Sequence, residues 1–192
     1  MAASCPVACH ACPPPTVDVA VGWRGDVLSL TTEAGVVRFA LHADLAPNTV
    51  SYIKRLASSP DGCPSCRLYR AEAVPQPGAV DNFGGPGPPY ALVQGSFASP
   101  LFAPVEKEQS PLVERGDACL IGTGPDFFVA VAAHREWGHG HTVWGRVMDD
   151  ASQAVVDAIS TRPVKEEVWG QTHVTTLVTP LPFTLAVALA TP

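Results

Sequence analysis

The chain has 192 residues, enough for one domain with a substantial hydrophobic core. Its 46% apolar and 16% charged residues are typical of globular proteins and exclude an intrinsically disordered one. A net charge of −6, without a basic patch, argues against a nucleic-acid or anionic-membrane partner. The twenty prolines and sixteen glycines indicate many fixed turns, which favours a loop-rich β architecture over a helical bundle.

Residues 1–15 are rich in cysteine and proline, and we expect them to form a poorly ordered leader ahead of a single domain over residues 16–192. No signal peptide is evident, because this segment lacks a basic region and prolines interrupt its apolar positions. No window reaches the ~18 apolar residues that a spanning helix requires. The sequence therefore predicts a soluble protein without a membrane span, in a compartment that it does not reveal.

The cysteine spacing leaves three interpretations open. The closely spaced cysteines are compatible with a disulfide, a zinc site or ordinary thiols. They are Cys5, Cys9, Cys12, Cys63 and Cys66. Cys119 lies in an apolar strand pattern and is most simply a small buried hydrophobe.

The first half of the chain combines strand patterns with one clear helix. We predict that the helix covers Pro47–Ala57, because proline suits the first helical position and Val50, Ile53 and Leu56 follow at helical spacing. A Pro/Gly-rich loop is predicted over Ala71–Pro89. The predicted strands are Val17–Trp23, Asp26–Thr32, Val36–Leu41, Leu68–Arg70 and Tyr90–Phe97.

The second half begins with a loop over Ser99–Arg115 and contains a second helix, predicted over Ser152–Thr161. Asp149 or Asp150 is its expected N-cap, and the residues expected to face inward are Val155, Ala158 and Ile159. The predicted strands are Ala118–Ile121, Phe127–Val131, Thr142–Val147, Val174–Val178 and Phe183–Leu189. Many short strands without a βαβ rhythm predict a mainly β fold, a closed antiparallel barrel with two α-helices packed on it.

The stretch Gly122–Val147 places two strands around a loop crowded with imidazole and aromatic side chains. A turn does not require so many imidazole and aromatic side chains, so their clustering predicts one wall of a binding pocket. Three of its histidines, His134, His139 and His141, raise the alternative of a metal site. His139-x-His141 is similar to the cupin motif, but Gly145 and Arg146 stand where that motif has its ligand glutamate, so no metal is predicted.

Several motifs, in order, resemble the cyclophilins, which are peptidyl-prolyl cis-trans isomerases. DLAPNTV resembles the D-x-A-P-x-T-V that opens the family's first helix, and LYR its F-H-R strand. ALVQG resembles the strand ending Q-G-G, DFFVAVA resembles Q-F-F-I, and GHTVWGRV resembles G-K-H-x-V-F-G-x-V. The resemblance covers roughly residues 36–164 and implies an eight-stranded barrel capped by two helices.

The resemblance also implies site residues and an activity on X–Pro bonds of peptides or unfolded proteins. Arg70 corresponds to the catalytic arginine, Gln94 to a substrate-contacting amide, and Phe128 to the floor of a proline pocket with His141 at its side. We expect Trp137 at the pocket rim. No cofactor is implied, and the implied partner is a proline-containing peptide or protein segment.

Departures from the family pattern support a second interpretation, a proline-binding module with little or no turnover. Tyr69 replaces a histidine, the loop Ala71–Pro89 replaces a tight turn, and the segment before Phe127 is shorter than usual. The pair Glu136-Trp137 is one residue out of phase with the family's W-L. Two simpler interpretations also stay open: Arg70 as a surface cation or a partner of its neighbour Glu72, and the long loop as a tolerated insertion.

Overall fold

The structure, a computed structural model, describes residues 23–60, 63–81, 84, 85 and 87–189. These residues form strands, two α-helices, α1 (Pro47–Ala57) and α2 (Asp150–Ser160), and one 3-10 turn, Arg135–Trp137. The strands are β1 (Val27–Thr32), β2 (Gly35–Leu41), β3 (Arg67–Glu72), β4 (Leu92–Ser96), β5 (Asp117–Leu120), β6 (Asp126–Ala130), β7 (Thr142–Val147), β8 (Val164–Trp169), β9 (Thr172–Pro182) and β10 (Thr184–Ala188).

The sheet is antiparallel and closes on itself through one long segment of chain. The strand order is β10-β1-β2-β7-β5-β6-β4-β3-β9-β8. Phe183 separates β9 from β10, so a nearly continuous strand pairs with β3 at Leu181 and with β1 from Thr184 onward. Strand β8 lies at the edge of the sheet beyond β9. With β8 left out and β9 and β10 counted as one position, eight positions remain around the ring, as in an eight-stranded barrel. The predicted mainly β fold with two helices is confirmed.

Aromatic rings fill the barrel interior. Phe97 and Phe127 stack with their ring centroids 4.1 Å apart, and Trp144 and Phe183 meet both of them within 6.0 Å. Stacked and edge-to-face pairs of this kind stabilise a core beyond the area that they bury. The helices complete the same core from outside the ring, with Val50, Ile53 and Leu56 from α1 and Val156 and Ile159 from α2.

Helix α1 has the predicted bounds, and its exposed amides are capped from a distant loop. The carboxylate of Glu108 accepts hydrogen bonds from the Asn48 and Thr49 backbone N–H groups at 2.8 and 3.0 Å. It also accepts one from the Thr49 hydroxyl at 2.6 Å. A negative charge at this end complements the helix dipole, so the loop before β5 is tied to α1.

Helix α2 confirms the predicted aspartate cap and corrects its inward face. Asp149 is the N-cap, and its side chain accepts a hydrogen bond from the Ser152 N–H at 2.8 Å. Ala158 is exposed, contrary to the prediction, and Val156 is buried in the core with Ile159. Val155 is partly buried and packs against the core, so two of the three residues predicted to face inward do so, and Val156 takes the place of Ala158.

The sequence prediction missed strand β8. Its residues are mostly exposed, so it lacks the apolar alternation by which strands are recognised. It pairs with β9 in a hairpin that turns at Gly170 and Gln171, with Trp169 opposite Thr172. Gly170 has φ +65°, a conformation that glycine adopts without strain. The hairpin extends past the barrel toward the groove described below.

Two cysteines form a disulfide between the end of α1 and the start of β3. Cys63 and Cys66 are bonded, with their Cα atoms 5.2 Å apart, which selects one of the open interpretations for this pair. Cys119 is free and fully buried in a strand, as predicted. The leader 1–15, its three cysteines and most of the predicted strand Val17–Trp23 lie outside the described residues. No described helix is long and apolar enough to cross a membrane.

Candidate functional site

Two adjacent phenylalanines on β6 face opposite sides of the sheet because side chains alternate along a strand. Phe127 points into the barrel, and Phe128 points outward into a second, smaller apolar cluster. That cluster contains Leu92, Val113, Cys119, Phe128, Ala130 and Val143, with Tyr90, Ile121 and Trp137 packed against it. The outer face of this part of the barrel is therefore apolar.

The register of the sheet aligns the predicted site residues across neighbouring strands. Arg70 on β3 lies opposite Gln94 on β4, and Gln94 lies opposite Phe128 on β6. Directly paired residues point to the same face of an antiparallel sheet. Three motifs that are far apart in the sequence thus form one row on the outer surface.

A groove of about 270 Å³ lies over this row. Its lining residues are Arg70, Asp81, Tyr90, Leu92, Gln94, Ile121, Phe128, Trp137, His141 and Thr172. The structure thus brings together all five residues that the sequence analysis singled out, with Arg70 and Gln94 at one end and the aromatic residues at the other. Concave, largely apolar sites with a few convergent polar groups are typical ligand sites.

Three rings form the apolar end of the groove. Phe128 lies perpendicular to His141 at a centroid distance of 5.0 Å and perpendicular to Trp137 at 5.5 Å. Trp137 in turn stacks flat on His134 at 3.7 Å, which fixes its orientation. Phe128 is fully buried under its neighbours, so it forms a floor rather than a projecting contact.

Burial lowers the pKa of His141, and the nearby imidazole and Lys107 act in the same direction. A hydrogen bond to the Leu120 backbone opposes this shift but does not overcome it. Its Nδ1 atom is buried without a hydrogen-bond partner among the described residues. The ring is therefore neutral at pH 7 and adds to the apolar character of this end.

We expect the affinity of the groove for an uncharged prolyl peptide to be constant from pH 8 to about 6.5 and to fall about tenfold at lower pH. The neutral ring must take up a proton there, which places a charge beside Phe128.

The same lowered pKa makes the folded state bind fewer protons than the unfolded state, so His141 also reduces the stability of the fold as pH falls below 6.5.

A peptide titration over this pH range measures the effect, with His141→Phe as the comparison because it keeps a ring that does not titrate. The variant should lose the acid-dependent fall. An equal fall in the wild type and in His141→Phe would assign the effect to another group.

Four groups hold the guanidinium of Arg70 at the polar end. Its Nε donates to Glu72 Oε1 at 2.7 Å, and its Nη1 donates to Gln94 Oε1 at 2.9 Å. The rings of Tyr90 and Trp169 lie 5.3 and 5.4 Å from its central carbon. Charge-assisted hydrogen bonds and cation–π contacts together restrict the guanidinium to one orientation.

The carboxylate of Glu72 is fully buried, whereas the Arg70 side chain is 12% exposed. Glu72 also accepts hydrogen bonds from the backbone N–H groups of Tyr90 and, at 3.2 Å, Thr175. A buried carboxylate is stable only when it is paired and hydrogen-bonded in this way. The ion pair between Arg70 and Glu72, which the sequence analysis offered as a simpler role for Arg70, is therefore present, and it lies within the groove wall.

Gln94 connects this pair to a second polar chain. Its Nε2 donates to the hydroxyl of Tyr69 at 2.5 Å, and the Tyr69 side chain hydrogen-bonds Asp126. Burial, with the charge of Asp126, raises the pKa of Tyr69 to about 12, so the phenol stays protonated. The amide of Gln94 is thus oriented from both ends, its oxygen toward Arg70 and its nitrogen toward Tyr69.

Comparisons with known proteins find curated relatives of this chain. The chain is 28% identical over 149 residues to a protein of Mycobacterium leprae named probable peptidyl-prolyl cis-trans isomerase A, covering 69% of this chain and 79% of that protein. It is 28% identical over 148 residues to peptidyl-prolyl cis-trans isomerase A of Mycobacterium tuberculosis H37Rv, with the same coverage. These similarities support a cyclophilin-type peptidyl-prolyl cis-trans isomerase. No protein-family profile matches the chain.

Solved structures show the same fold. A cyclophilin-type peptidyl-prolyl cis-trans isomerase of Cryptosporidium parvum superposes with a TM-score of 0.57 at 10% identity, over 88% of this chain and 99% of that one. The same protein in the presence of the dipeptide Ala-Pro gives a TM-score of 0.54 over 86% and 99%. At this identity the superposition establishes the fold alone.

Sequence reasoning missed three residues in or beside the groove. Tyr90 was assigned to a strand, but it lies before β4 and covers Arg70. Asp81, in the middle of the long loop, lines the groove, and Trp169, in the unpredicted hairpin, lies against Arg70. The loop 71–89 thus contributes to the site through Asp81. The only signal in the sequence was the tryptophan before the Gly170 turn, a large aromatic residue in an otherwise polar segment.

The other two histidines of the loop between β6 and β7 have structural partners. His134 contacts Glu136 through Nδ1 at 2.8 Å and the Ala91 carbonyl through Nε2 at 3.2 Å. His139 contacts the Ser110 carbonyl at 2.5 Å. These contacts fix the 3-10 turn that carries Trp137.

Proposed function

We propose that this protein is a cyclophilin-type peptidyl-prolyl cis-trans isomerase acting on X–Pro bonds in peptides or unfolded proteins. The observation that supports this most is the groove itself, in which an oriented arginine and amide lie beside an apolar corner of three rings. The curated relatives at 28% identity carry the name of this activity.

The chemistry requires a donor rather than a nucleophile or a metal. Rotation about an amide bond crosses a barrier of about 18–20 kcal/mol, at which the twisted bond leaves a lone pair on the proline nitrogen. A hydrogen bond to that nitrogen stabilises the twisted state more than either planar state, which is the condition for catalysis. Arginine has five N–H donors, and two of them serve Glu72 and Gln94. We assign one of the remaining donors to the proline nitrogen.

The other site residues position the substrate. Phe128 forms the floor under the prolyl ring, His141 stands at its side and Trp137 at the rim. The side-chain amide of Gln94 can form more hydrogen bonds than those with Arg70 and Tyr69. It uses this remaining capacity to orient a backbone amide of the substrate next to the proline. Holding the ring while the preceding residue rotates lowers the entropic cost of reaching the twisted state.

A second candidate function, a proline-binding module without appreciable turnover, is favoured by the pairing of Arg70 with a buried carboxylate. Glu72 lies 2.7 Å from the guanidinium and offsets part of its charge. A weaker field at the proline nitrogen would leave binding intact and reduce the rate advantage.

Exchange spectroscopy by NMR on a short Ala-Pro peptide separates the two functions. We expect catalytic amounts of the protein to accelerate cis-trans exchange above the uncatalysed rate, which corresponds to tens to hundreds of seconds per event. Peptide binding without acceleration would assign the binding module. Absence of both binding and acceleration would contradict both functions.

A further inference from the structure

The hairpin of β8 and β9 brings a large aromatic side chain, Trp169, against the guanidinium of Arg70. The central carbon of that guanidinium lies 5.4 Å from the centre of the Trp169 ring. Among the described residues, those that line the groove include Arg70 and Thr172 but not Trp169, which pairs with Thr172 across the hairpin. The indole therefore contacts Arg70 from beside the groove rather than from within it.

A hydrogen bond and a ring contact fix the indole of Trp169. Its Nε1 donates to Glu167 Oε2 at 3.0 Å, and its ring centroid lies 6.2 Å from that of Tyr69. Lys165 and Thr176 donate to the same carboxylate, and these hydrogen bonds together lower the pKa of Glu167 to about 2. The acceptor of the indole N–H is therefore ionised at neutral pH, which strengthens the hydrogen bond.

A β-bulge in β3 turns two successive side chains toward this ring. The register of β3 against β4 shifts between Leu68 and Arg70, so Tyr69 is the extra residue of the bulge. Leu68 and Ala71 lie in the barrel core, which leaves Tyr69 and Arg70 together on the outer face. Bulges re-aim side chains in this way beside functional sites, and here both re-aimed residues contact Trp169.

The hydrogen bonds of Arg70 do not by themselves fix the tilt of its guanidinium. Its Nε donates to Glu72 and its Nη1 to Gln94. Because all the donors of a guanidinium lie in one plane, two such bonds fix its position but allow it to tilt about the line that joins them. The rings of Tyr90 and Trp169 oppose this tilt. A donor must be aligned with the prolyl nitrogen to stabilise the twisted bond, so the tilt affects catalysis.

We propose that Trp169 is a positioning residue for isomerisation, which holds the guanidinium of Arg70 in the orientation that donates to the prolyl nitrogen. The proposal rests on the proposed function, because it concerns the step that Arg70 is proposed to catalyse. Trp169 acts through Arg70 and does not touch the substrate. Tyr90 lines the groove itself, so only a change at Trp169 separates the positioning of Arg70 from contact with the peptide.

The first test measures kcat for an Ala-Pro peptide by NMR exchange and peptide affinity by titration. Trp169→Ala should lower kcat about three- to thirtyfold, the range that corresponds to one cation–π contact, and leave affinity within about twofold of the wild type. Trp169→Phe keeps a ring against Arg70 and should retain kcat within about threefold of the wild type. A role in folding alone would lower the amount of folded protein without separating kcat from affinity.

The second test follows the exchange with water of the Arg70 Nε–H proton by NMR, which does not require turnover. We expect faster exchange in Trp169→Ala, because a guanidinium that tilts more often opens its hydrogen bond to Glu72. The Nε–H of Arg146 donates to Asp117 at 2.7 Å and is the internal reference, whose exchange should not change.

Val168→Ala is the matched control, because Val168 is an exposed neighbour whose side chain points to the opposite face of the hairpin. Its kcat, affinity and Arg70 exchange should equal those of the wild type. If Trp169→Ala does not fold, Trp169→Leu takes its place with the same expectations, since leucine keeps apolar volume without a ring.

Unchanged kcat or unchanged Arg70 exchange in Trp169→Ala would overturn the proposal. A loss of peptide affinity in place of a loss of kcat would overturn it as well, because the indole would then bind the substrate. A wild type without turnover would overturn the proposed function and the catalytic effect of Trp169. The exchange of the Arg70 proton would still show, in that case, whether the ring holds the guanidinium.

Discussion

Arg70→Ala should lower kcat/KM for an Ala-Pro peptide about a hundredfold or more, while peptide affinity changes little. The variant removes the donor proposed for the nitrogen of the twisted bond, and a charge-assisted donor acting on a transition state contributes about 2–4 kcal/mol. The three rings that we propose hold the prolyl ring, Phe128, Trp137 and His141, line the groove and are not changed in this variant. Exchange spectroscopy and a peptide titration measure the two quantities separately.

Arg70→Ala should also lower the free energy of unfolding, so the activity assay needs a second variant that restores stability. Removing Arg70 leaves the fully buried carboxylate of Glu72 without its cation, which costs roughly 3–5 kcal/mol for a buried pair. Adding Glu72→Gln to Arg70→Ala should recover much of that stability and none of the turnover.

Arg67→Ala is the control for Arg70→Ala, because Arg67 is an exposed arginine on the same strand that does not line the groove. It should leave kcat/KM within a factor of two of the wild type. Wild-type kcat/KM in the folded double variant would remove Arg70 from the mechanism.

Phe127→Ala should reduce the free energy of unfolding by about 3–5 kcal/mol, the usual cost of truncating a buried phenylalanine. Its ring is fully buried, stacks on Phe97 at 4.1 Å and meets Trp144 and Phe183 edge to face. The loss is a large fraction of the 5–15 kcal/mol that stabilises a typical domain. Denaturant unfolding measures it.

Phe128→Ala is the informative comparison because the two residues are adjacent and both are buried. Phe128 lies in the outer cluster under the groove, so its loss should weaken prolyl-peptide binding, whereas folded Phe127→Ala should keep near-normal affinity. Affinity is expressed per folded molecule to remove the effect of stability. An equal loss of affinity in Phe127→Ala and Phe128→Ala would show that Phe128 has no specific part in binding the peptide.

Features that depend on local spacing could be predicted from the sequence. Proline at the start of α1 and apolar residues every three or four positions specify that helix and its bounds. The adjacent phenylalanines specify that one ring faces inward and one outward, since alternation is a property of any strand. The motif order also placed Arg70, Gln94 and Phe128 on three separate strands, and the observed register aligned them.

Barrel closure and the surroundings of Arg70 could not be predicted from the sequence, because both depend on contacts between distant segments. Closure depends on β9 running through Phe183 into β10, a pairing between distant strands that no local pattern encodes. Strand β8 is exposed on both faces, so its sequence carries no apolar period, yet it brings Trp169 against Arg70. Glu72 looks like an ordinary surface acid in the sequence. It is a buried counter-ion because Tyr90 and Thr175, from opposite sides of β3, donate their backbone hydrogen bonds to it, and burial of that kind depends on the partners that the fold supplies.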